Sequence, residues 1–232
     1  MKHKPRASWT QRLWQGWVKP FLVVVIVVST FRSAVADWND VPTGSMKPSI
    51  VEGDRIFVNK CAYALKVPFT SWRIAEWSQP RRGDVVVCFS PEDGKRLVKR
   101  IVALPGQTVE LRDNVLIIDG KAAAYAPPGA AAANRLGPVA DGRVLMLEKI
   151  DGRSHPVLFT PGIRAMRCFG PVRVPAGQYF LLGDNRDSSR DSRFFGPVAR
   201  RQIVGRAPAV VFSLNRDRYY RPRGDRFFRS IP

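Results

Sequence analysis

Short apolar stretches recur along most of this chain, and in several of them apolar and polar residues alternate. Pro-Gly and Asp-Gly pairs separate these stretches and favour turns, whereas apolar residues at helical spacing are scarce. This pattern predicts a mainly β protein. The predicted strands cover residues 56–58, 85–89, 97–104, 115–118, 144–147, 179–182 and 210–212.

One longer apolar segment, residues 18–36, departs from this pattern. Its length is sufficient for a transmembrane helix, which needs about 17 to 25 residues. Basic residues precede the apolar run and tryptophans lie near both of its ends: Lys2, Lys4, Arg6, Arg12 and Lys19, then Trp14, Trp17 and Trp38. Because basic flanks stay in the cytoplasm, we predict a cytoplasmic basic N-terminus (1–17), a single transmembrane anchor (18–36) and an outer-facing remainder.

The same segment also fits a cleavable signal peptide. A basic start, a short apolar run and Ala-Val-Ala (34–36) before Asp37 are features of such a peptide. Arg32 fits this alternative poorly, because it lies only a few residues before the cleavage point. Composition alone nevertheless favours the signal peptide over the anchor.

The chain is strongly basic, with a formal net charge of +19 over 232 residues, of which 45% are hydrophobic. This length can bury one core and a smaller satellite. The charge favours an anionic partner, either nucleic acid or a phospholipid surface. Because no zinc-finger spacing, phosphate-binding glycine loop or nucleic-acid module motif occurs in the sequence, we expect an anionic phospholipid membrane and no nucleic acid. Residues 216–229, with six arginines and four aromatics, predict a lipid contact or a solvated basic tail.

The candidate nucleophile is Ser45, in the run Pro-Thr-Gly-Ser-Met-Lys-Pro-Ser-Ile (42–50). The chain has two histidines, and neither suits a Ser/His/Asp triad. His3 lies on the far side of the apolar segment, and His155 has no acidic residue close by in sequence. A lysine with a lowered pKa can replace histidine as the general base.

Lys99 is the candidate base, because strand alternation puts it on one face with Leu97, Ile101 and Ala103 and leaves Arg100 on the other. Lowering a lysine pKa from roughly 10.4 to about 7 requires about 4 to 5 kcal/mol of bias against the charged form. Burial among apolar side chains can supply that bias. A lysine that snorkels at a strand edge is the alternative.

Five sequence blocks surround and connect these candidates. They are Pro-Thr-Gly-Ser-Met-Lys-Pro-Ser (42–49), Gly-Asp-Arg-Ile-Phe-Val-Asn-Lys (53–60), Arg-Gly-Asp-Val-Val-Val (82–87), Val-Lys-Arg-Ile-Val-Ala-Leu-Pro-Gly (98–106) and Gly-Asp-Asn-Arg-Asp-Ser-Ser-Arg-Asp-Ser-Arg (183–193). In this order and spacing they resemble the type I signal peptidases, membrane-bound Ser/Lys endopeptidases that remove signal peptides from exported proteins. The resemblance covers nearly the whole chain and favours an uncleaved anchor. It implies a coiled antiparallel β-sheet catalytic core (37–106 and 176–232) with a smaller, loosely built β domain inserted at 107–175.

The resemblance also implies catalytic roles for matching residues. Ser45 corresponds to the nucleophile and Lys99 to the general base, which act through an acyl-enzyme. Thr43 replaces the family's usual serine, whose hydroxyl donates to the oxyanion together with the Ser45 backbone N–H.

Further positions match residues that support the site or bind the substrate. Ser189 corresponds to the serine that orients the lysine, and Asp191 and Arg193 to a supporting ion pair. Small apolar pockets for Ala-x-Ala side chains are expected from Val41, Pro42, Met46, Ile50 and Val98. No metal and no cofactor are expected, because arginines crowd the acidic loop and no calcium-binding spacing occurs.

The resemblance implies preproteins as substrates and a bacterial cytoplasmic membrane location, with the catalytic domain on the periplasmic face. A specialised conjugation-linked or pilin-maturing peptidase, a self-cleaving protein like the SOS repressors, and an inactive basic protein that binds lipid or nucleic acid remain alternatives. Three cysteines, Cys61, Cys88 and Cys168, allow at most one internal disulfide. We expect Cys88 to be a buried apolar residue.

Overall fold

The computed structural model describes residues 9–70, 72–136 and 142–232. It confirms the mainly β class and the apolar helix near the N-terminus. The predicted basic positions Lys2, Lys4 and Arg6 lie outside the described residues.

A helical segment opens the described chain. It consists of α1 (Trp9–Leu13), a π-helical stretch (Trp14–Val18) and α2 (Lys19–Ala34). The part from Trp14 to Ala34 is long and apolar enough to cross a membrane. It ends before the predicted anchor does, because Ala36 already begins the first strand. The described residues also form α3 (Ala130–Leu136) and α4 (Ser192–Phe195).

The remaining regular structure is β. The strands in the described residues are β1 (Ala36–Asp40), β2 (Asp54–Asn59), β3 (Ala64–Lys66), β4 (Arg73–Glu76), β5 (Val85–Phe89), β6 (Arg96–Ala103), β7 (Thr108–Arg112), β8 (Val115–Ile118), β9 (Lys121–Ala122), β10 (Ala124–Ala126), β11 (Val144–Ile150), β12 (Arg153–Phe159), β13 (Phe169–Arg173), β14 (Gln178–Leu182), β15 (Val198–Ala199), β16 (Ile203–Asn215), β17 (Arg221–Pro222) and β18 (Arg229–Ser230). Each predicted strand overlaps one of these.

The main sheet is antiparallel and strongly curled. Its order is β1-β2-β16-β5-β6-β14-β15, and β17 and β18 also pair with β16. The long β16 pairs first with β5 and then with β2, and its register shifts at three places. Such irregularities bend a strand and increase its twist. At the change of partner, a side chain on Gly205 would lie 2.5 Å from the Asn59 carbonyl oxygen, so the close approach requires glycine.

Both faces of the main sheet are buried near its centre. In β5, Val85 and Val87 pack into one core cluster and Val86 and Cys88 into another. Successive side chains of a strand point to opposite faces of the sheet, so a strand that is buried on both faces is a continuous apolar run in sequence. This explains why β5 has no polar alternation, and it confirms that Cys88 is buried.

Two smaller sheets lie between β6 and β14, with orders β13-β7-β8-β9 and β10-β11-β12. Val109 and Leu111 from this stretch share one core cluster with Val102 and Phe180 from the main sheet. Side chains of β7 thus pack against the main sheet. The status of this stretch as a separate domain stays a prediction.

Candidate active site

Ser45 and Lys99 meet at the main sheet. Ser45 lies in the loop between β1 and β2, and Lys99 lies within β6. Lys99 Nζ is 2.7 Å from Ser45 Oγ and is hydrogen-bonded to it. Lys99 is only 2% exposed. The apolar face inferred for this strand therefore does bury the lysine beside the serine.

Burial lowers the pKa of Lys99 from its ordinary value, and this is the largest influence on it. The nearby Asp191 and Asp184 carboxylates act in the opposite direction, because negative charge favours the ammonium form. The net direction is still downwards. A buried amine of this kind loses its proton at a lower pH than a solvated lysine and is suited to act as a base.

Each of these carboxylates is held by a buried arginine. Arg100 binds Asp184 through Nε and Nη2 at 2.8 and 2.7 Å. Arg193 binds Asp191 through Nε and Nη2 at 2.8 Å each. Two-pronged pairing sets a positive guanidinium group directly against each carboxylate and offsets its negative charge. Less negative charge therefore acts on Lys99 than two unpaired carboxylates would supply.

The expected Asp191–Arg193 ion pair is present and also holds the backbone. Asp191 Oδ2 accepts from the Gly183 N–H at 3.1 Å, and Arg193 Nη1 donates to the Met166 carbonyl at 2.9 Å. The loop that begins at Gly183 also binds the segment that carries Ser45. The Asn185 N–H donates to the Ser45 carbonyl at 3.1 Å, so the position of Ser45 depends on this loop.

Gly183 is needed where the two loops touch. A side chain there would begin 2.2 Å from Ser189 Oγ and 2.5 Å from the Ser45 carbonyl oxygen. Ser189 is buried at this contact, but its Oγ has no hydrogen-bond partner in the described part of the chain. Gly183 thus lies close to both Ser189 and the Ser45 backbone, and Ser189 lacks the predicted hydrogen bond to Lys99.

A cleft of about 390 Å³ opens at the dyad. Its lining includes four of the five predicted pocket residues, together with Thr43, Ser45 and Lys99: Val41, Pro42, Met46 and Val98. Ile50 was expected to line this cleft and does not. It is fully buried in the core cluster behind the cleft, against which Val98 packs.

Sequence reasoning missed a second buried polar cluster, which consists of Glu148, His155 and Arg186. Glu148 and His155 face each other across the β11–β12 hairpin, with Oε1 and Nε2 3.1 Å apart. Arg186 binds the same carboxylate through both terminal nitrogens at 2.6 Å each. His155 therefore has an acidic neighbour, contrary to the impression from sequence, but Ser45 is paired with Lys99 instead. Burial lowers the pKa of His155.

Metal ligation and disulfide bonding find no support in the described ranges. No group of three or more His, Cys, Asp or Glu side chains there could hold a metal ion. Cys61, Cys88 and Cys168 are all free thiols.

This chain is similar in sequence to known proteins. Residues 14–212 match the family model described as "Signal peptidase, peptidase S26". The chain is 36% identical over 207 residues to "Signal peptidase I" of Pseudomonas fluorescens, covering 84% of this chain and 71% of that protein. It is 35% identical, with the same coverage, to "Signal peptidase I" of Pseudomonas aeruginosa. A crystal structure of a signal peptidase I from Enterococcus faecalis matches 56% of this chain and 97% of its own, at 31% identity and a TM-score of 0.34.

Proposed function

We propose that this chain, which belongs to the signal peptidase family (peptidase S26), cleaves its substrates with Ser45 as nucleophile and Lys99 as general base. The chain is a membrane signal peptidase, a serine endopeptidase that acts on preproteins bearing signal peptides. The observation that carries the proposal is the 2.7 Å contact between Lys99 Nζ and Ser45 Oγ at a buried lysine.

In this mechanism neutral Lys99 accepts the Ser45 hydroxyl proton as Ser45 Oγ attacks the carbonyl carbon of the scissile peptide bond. The ammonium then donates that proton to the departing amine, and the carbon–nitrogen bond breaks. The product is an ester between Ser45 and the signal peptide. Neutral Lys99 next takes a proton from water, whose oxygen attacks the ester carbonyl carbon. The ammonium then donates that proton to Ser45 Oγ as the ester carbon–oxygen bond breaks, and the signal peptide leaves with a free carboxyl group.

Charge develops on the substrate carbonyl oxygen in both steps. The backbone N–H of Ser45 and the hydroxyl of Thr43 are the proposed donors to this oxyanion. Thr43 is exposed and lines the cleft beside Ser45, which leaves its hydroxyl accessible to a bound substrate. One such donor is typically worth about 10²- to 10³-fold in rate.

Two supporting groups complete the proposed site. Asp191 and Arg193 hold the loop that begins at Gly183, and this loop is hydrogen-bonded to the Ser45 backbone. Ser189 is proposed to orient the lysine, because its buried hydroxyl has no hydrogen-bond partner among the described residues and so has a hydrogen bond to offer.

The cleft favours small apolar substrate side chains. Val41, Pro42, Met46 and Val98 line it, and packed apolar walls exclude larger groups by overlap. An Ala-x-Ala sequence before the cleaved bond matches such a surface.

The proposed orientation puts the catalytic domain on the periplasmic face of the cytoplasmic membrane, near anionic phospholipids. The basic run 216–229 remains a candidate lipid contact, although part of it is structural. Arg226 is buried and pairs with Asp54 at 2.6 Å, and Arg223 donates to the Glu52 carbonyl at 2.9 Å. The four aromatics of this run are exposed and available to lipid: Tyr219, Tyr220, Phe227 and Phe228.

A preprotein cleavage assay tests the proposal. The purified full chain in detergent is incubated with a preprotein whose signal peptide ends in Ala-x-Ala, and the new N-terminus is sequenced. We expect one cut directly after that motif, and no cut with Ser45→Ala. Cleavage elsewhere, or cleavage that persists in Ser45→Ala, would contradict the assignment.

A further inference from the structure

The cleft at the dyad changes character along its length. Next to Ser45 and Lys99 its walls carry the apolar side chains described above. Farther from the dyad its lining is polar and charged. We call the four residues there the polar end of the cleft: Asn39, Asp40, Lys95 and Arg96. The binding of alanine side chains in the apolar part leaves the polar end without an assigned role.

Both walls of the cleft lead from the dyad to the polar end in the same order. On one wall, residue numbers fall from 45 at the nucleophile to 39, and on the other they fall from 99 at the base to 95. Arg96 lies three residues from Lys99 in β6, which is about 10 Å along a strand and the length of three residues of an extended peptide. A peptide whose Ala-x-Ala motif fills the apolar part therefore has the start of that motif and the residues before it at the polar end.

Strand edges on both walls leave room for an extended peptide. β1 is the terminal strand in the order of the main sheet and pairs with β2. β6 pairs with β5 from Arg96 onwards, but its pairing with β14 begins at Arg100. Residues 96–99 thus have no partner strand on that side within the described chain. An extended peptide can pair with such edges, which brings its side chains next to the polar end.

Arg96 donates to a neutral side chain and only shares a carboxylate. Its Nη1 donates to Asn39 Oδ1 at 2.9 Å. The carboxylate of Asp37 is 3.9 Å from the same nitrogen. This carboxylate lies closer to Arg32 and Lys60, at 2.8 and 3.6 Å. One negative charge is thus shared by three cations, which leaves the positive charge of Arg96 poorly balanced.

The other charged groups of the polar end are already paired. Asp40 pairs with Arg216 and also lies 3.5 Å from Arg55 Nε. Lys95 Nζ is 2.8 Å from Asp93. These carboxylates are therefore occupied by other cations, and the charge that remains at the polar end is positive.

Arg96 is held in place and still accessible. Its guanidinium carbon lies 5.7 Å from the centre of the Phe89 ring, and Phe89 is its neighbour across the β5–β6 pair. Such a ring attracts the guanidinium group and steadies it. The Arg96 side chain is nevertheless 42% exposed, and its bond to Asn39 uses one of the five N–H donors of an arginine. Arg96 therefore has donors to offer to a carboxylate in the cleft.

We propose that Arg96 is a specificity-determining residue, which selects preproteins that carry an acidic side chain at the polar end of the cleft. This inference rests on the proposed function, because it takes the Ala-x-Ala motif to fill the apolar part. The acidic residue is then the middle residue of the motif or one of the two residues before it. Its carboxylate accepts hydrogen bonds from the guanidinium group and balances its charge, whereas a lysine at the same place is repelled. Substrates are thus selected by charge as well as by size.

Matched peptides test this selection with the full chain in detergent. Each peptide contains Ala-x-Ala and carries either Glu or Gln at one of the three positions named above, and the readout is the ratio of kcat/KM for the Glu peptide to that for the Gln peptide. We expect a ratio of about three to five for at least one position, as for a partly exposed ion pair. The ratio should fall towards unity at about 1 M salt, which screens the charges. Equal values for Glu and Gln at every position would overturn the proposal, while cleavage of the Gln peptides would still support the proposed function.

Variants assign the preference to Arg96. Arg96→Gln should abolish the preference for Glu, and Arg96→Glu should favour a Lys peptide over the Gln peptide. Asn39→Asp supplies a carboxylate beside Arg96 and should also abolish the preference, although Arg96 is unchanged. Arg112→Gln, which removes an exposed charge in β7, is the matched control and should keep the parent ratio. A preference for Glu that persists in Arg96→Gln would overturn the proposal. Because each ratio compares two peptides on the same protein, a partial loss of folded enzyme does not change it.

Discussion

Replacing Arg100 with methionine should separate the charge control of Lys99 from its burial. Arg100 and Asp184 are each 1% exposed and form a two-pronged ion pair. Removing one partner of a buried pair leaves an uncompensated charge and costs about 3 to 5 kcal/mol. For a chain of this size the loss lowers Tm by about 6 to 20 °C.

The same substitution should shift the pH dependence of catalysis. Without Arg100, the full negative charge of Asp184 acts on Lys99 and favours its ammonium form, so the pKa of Lys99 rises. The active neutral amine then appears only at higher pH, and the acidic limb of kcat/KM moves upwards. At a pH on the acidic limb, kcat/KM falls about tenfold for each pH unit by which the limb moves upwards.

In the parent chain, the pKa of Asp184 itself is lowered mainly by Arg100, against the opposite effect of burial. The stability that this pair contributes is present above the unfolded carboxyl pKa and is lost as pH falls through the lowered value.

The assay compares pH profiles of peptide cleavage by the parent chain, Arg100→Met and Arg100→Met/Asp184→Asn. In the parent chain the Ser49 hydroxyl donates to Asp184 at 2.5 Å. Asparagine at position 184 keeps an acceptor for this hydroxyl but carries no charge. We expect the double variant to bring the acidic limb back towards the parent position and to recover part of the Tm. If Arg100→Met folds and its acidic limb stays at the parent pH, the charge argument is refuted.

Three further predictions concern the oxyanion site, the loop contact and the lipid surface. Thr43→Val should lower kcat by about 10²- to 10³-fold while Thr43→Ser retains activity, and equal activity of the two variants in the peptide assay would rule out a hydroxyl role. Gly183→Ala should reduce both Tm and kcat, because its side chain would begin 2.5 Å from the Ser45 carbonyl oxygen; a fully active, equally stable variant by calorimetry and kinetics would contradict this contact. Replacing Tyr219, Tyr220, Phe227 and Phe228 with alanine should weaken co-sedimentation of a fragment starting at Asp37 with anionic vesicles, and unchanged co-sedimentation would leave these aromatics without a lipid role.

The sequence alone predicted those strands whose pattern of apolar and polar residues matches the burial that they have in the fold. β5 and β6 were predicted within one residue at each end, because apolar runs and alternation are local properties. The burial of Lys99 followed from the same alternation. β1 was missed because Ala-Asp-Trp-Asn-Asp is mostly polar. It forms a strand because β2 pairs with it along its whole length.

The supporting contacts of the site could not be predicted from local pattern. Arg100 and Asp184 are 84 positions apart, and only the pairing of β6 with β14 brings their chain segments together. Ile50 was assigned to the pocket by its resemblance to the family, yet it lies in the core. Glu148 is the acidic partner of His155 because of the register of the β11–β12 hairpin. That register depends on the geometry of the turn, which local sequence pattern does not determine.

The most direct test of the Ser45–Lys99 dyad is a double-mutant comparison of kcat for peptide cleavage. Ser45→Ala, Lys99→Met and the double variant should each lose at least about 10³-fold, with no further loss in the double variant, because residues that act as one unit are not additive. Methionine retains the volume of the lysine chain but has no amine, and the exposed Lys121→Met is the control for surface charge. Substantial activity of a folded Lys99→Met variant, or losses that add in the double variant, would contradict the account.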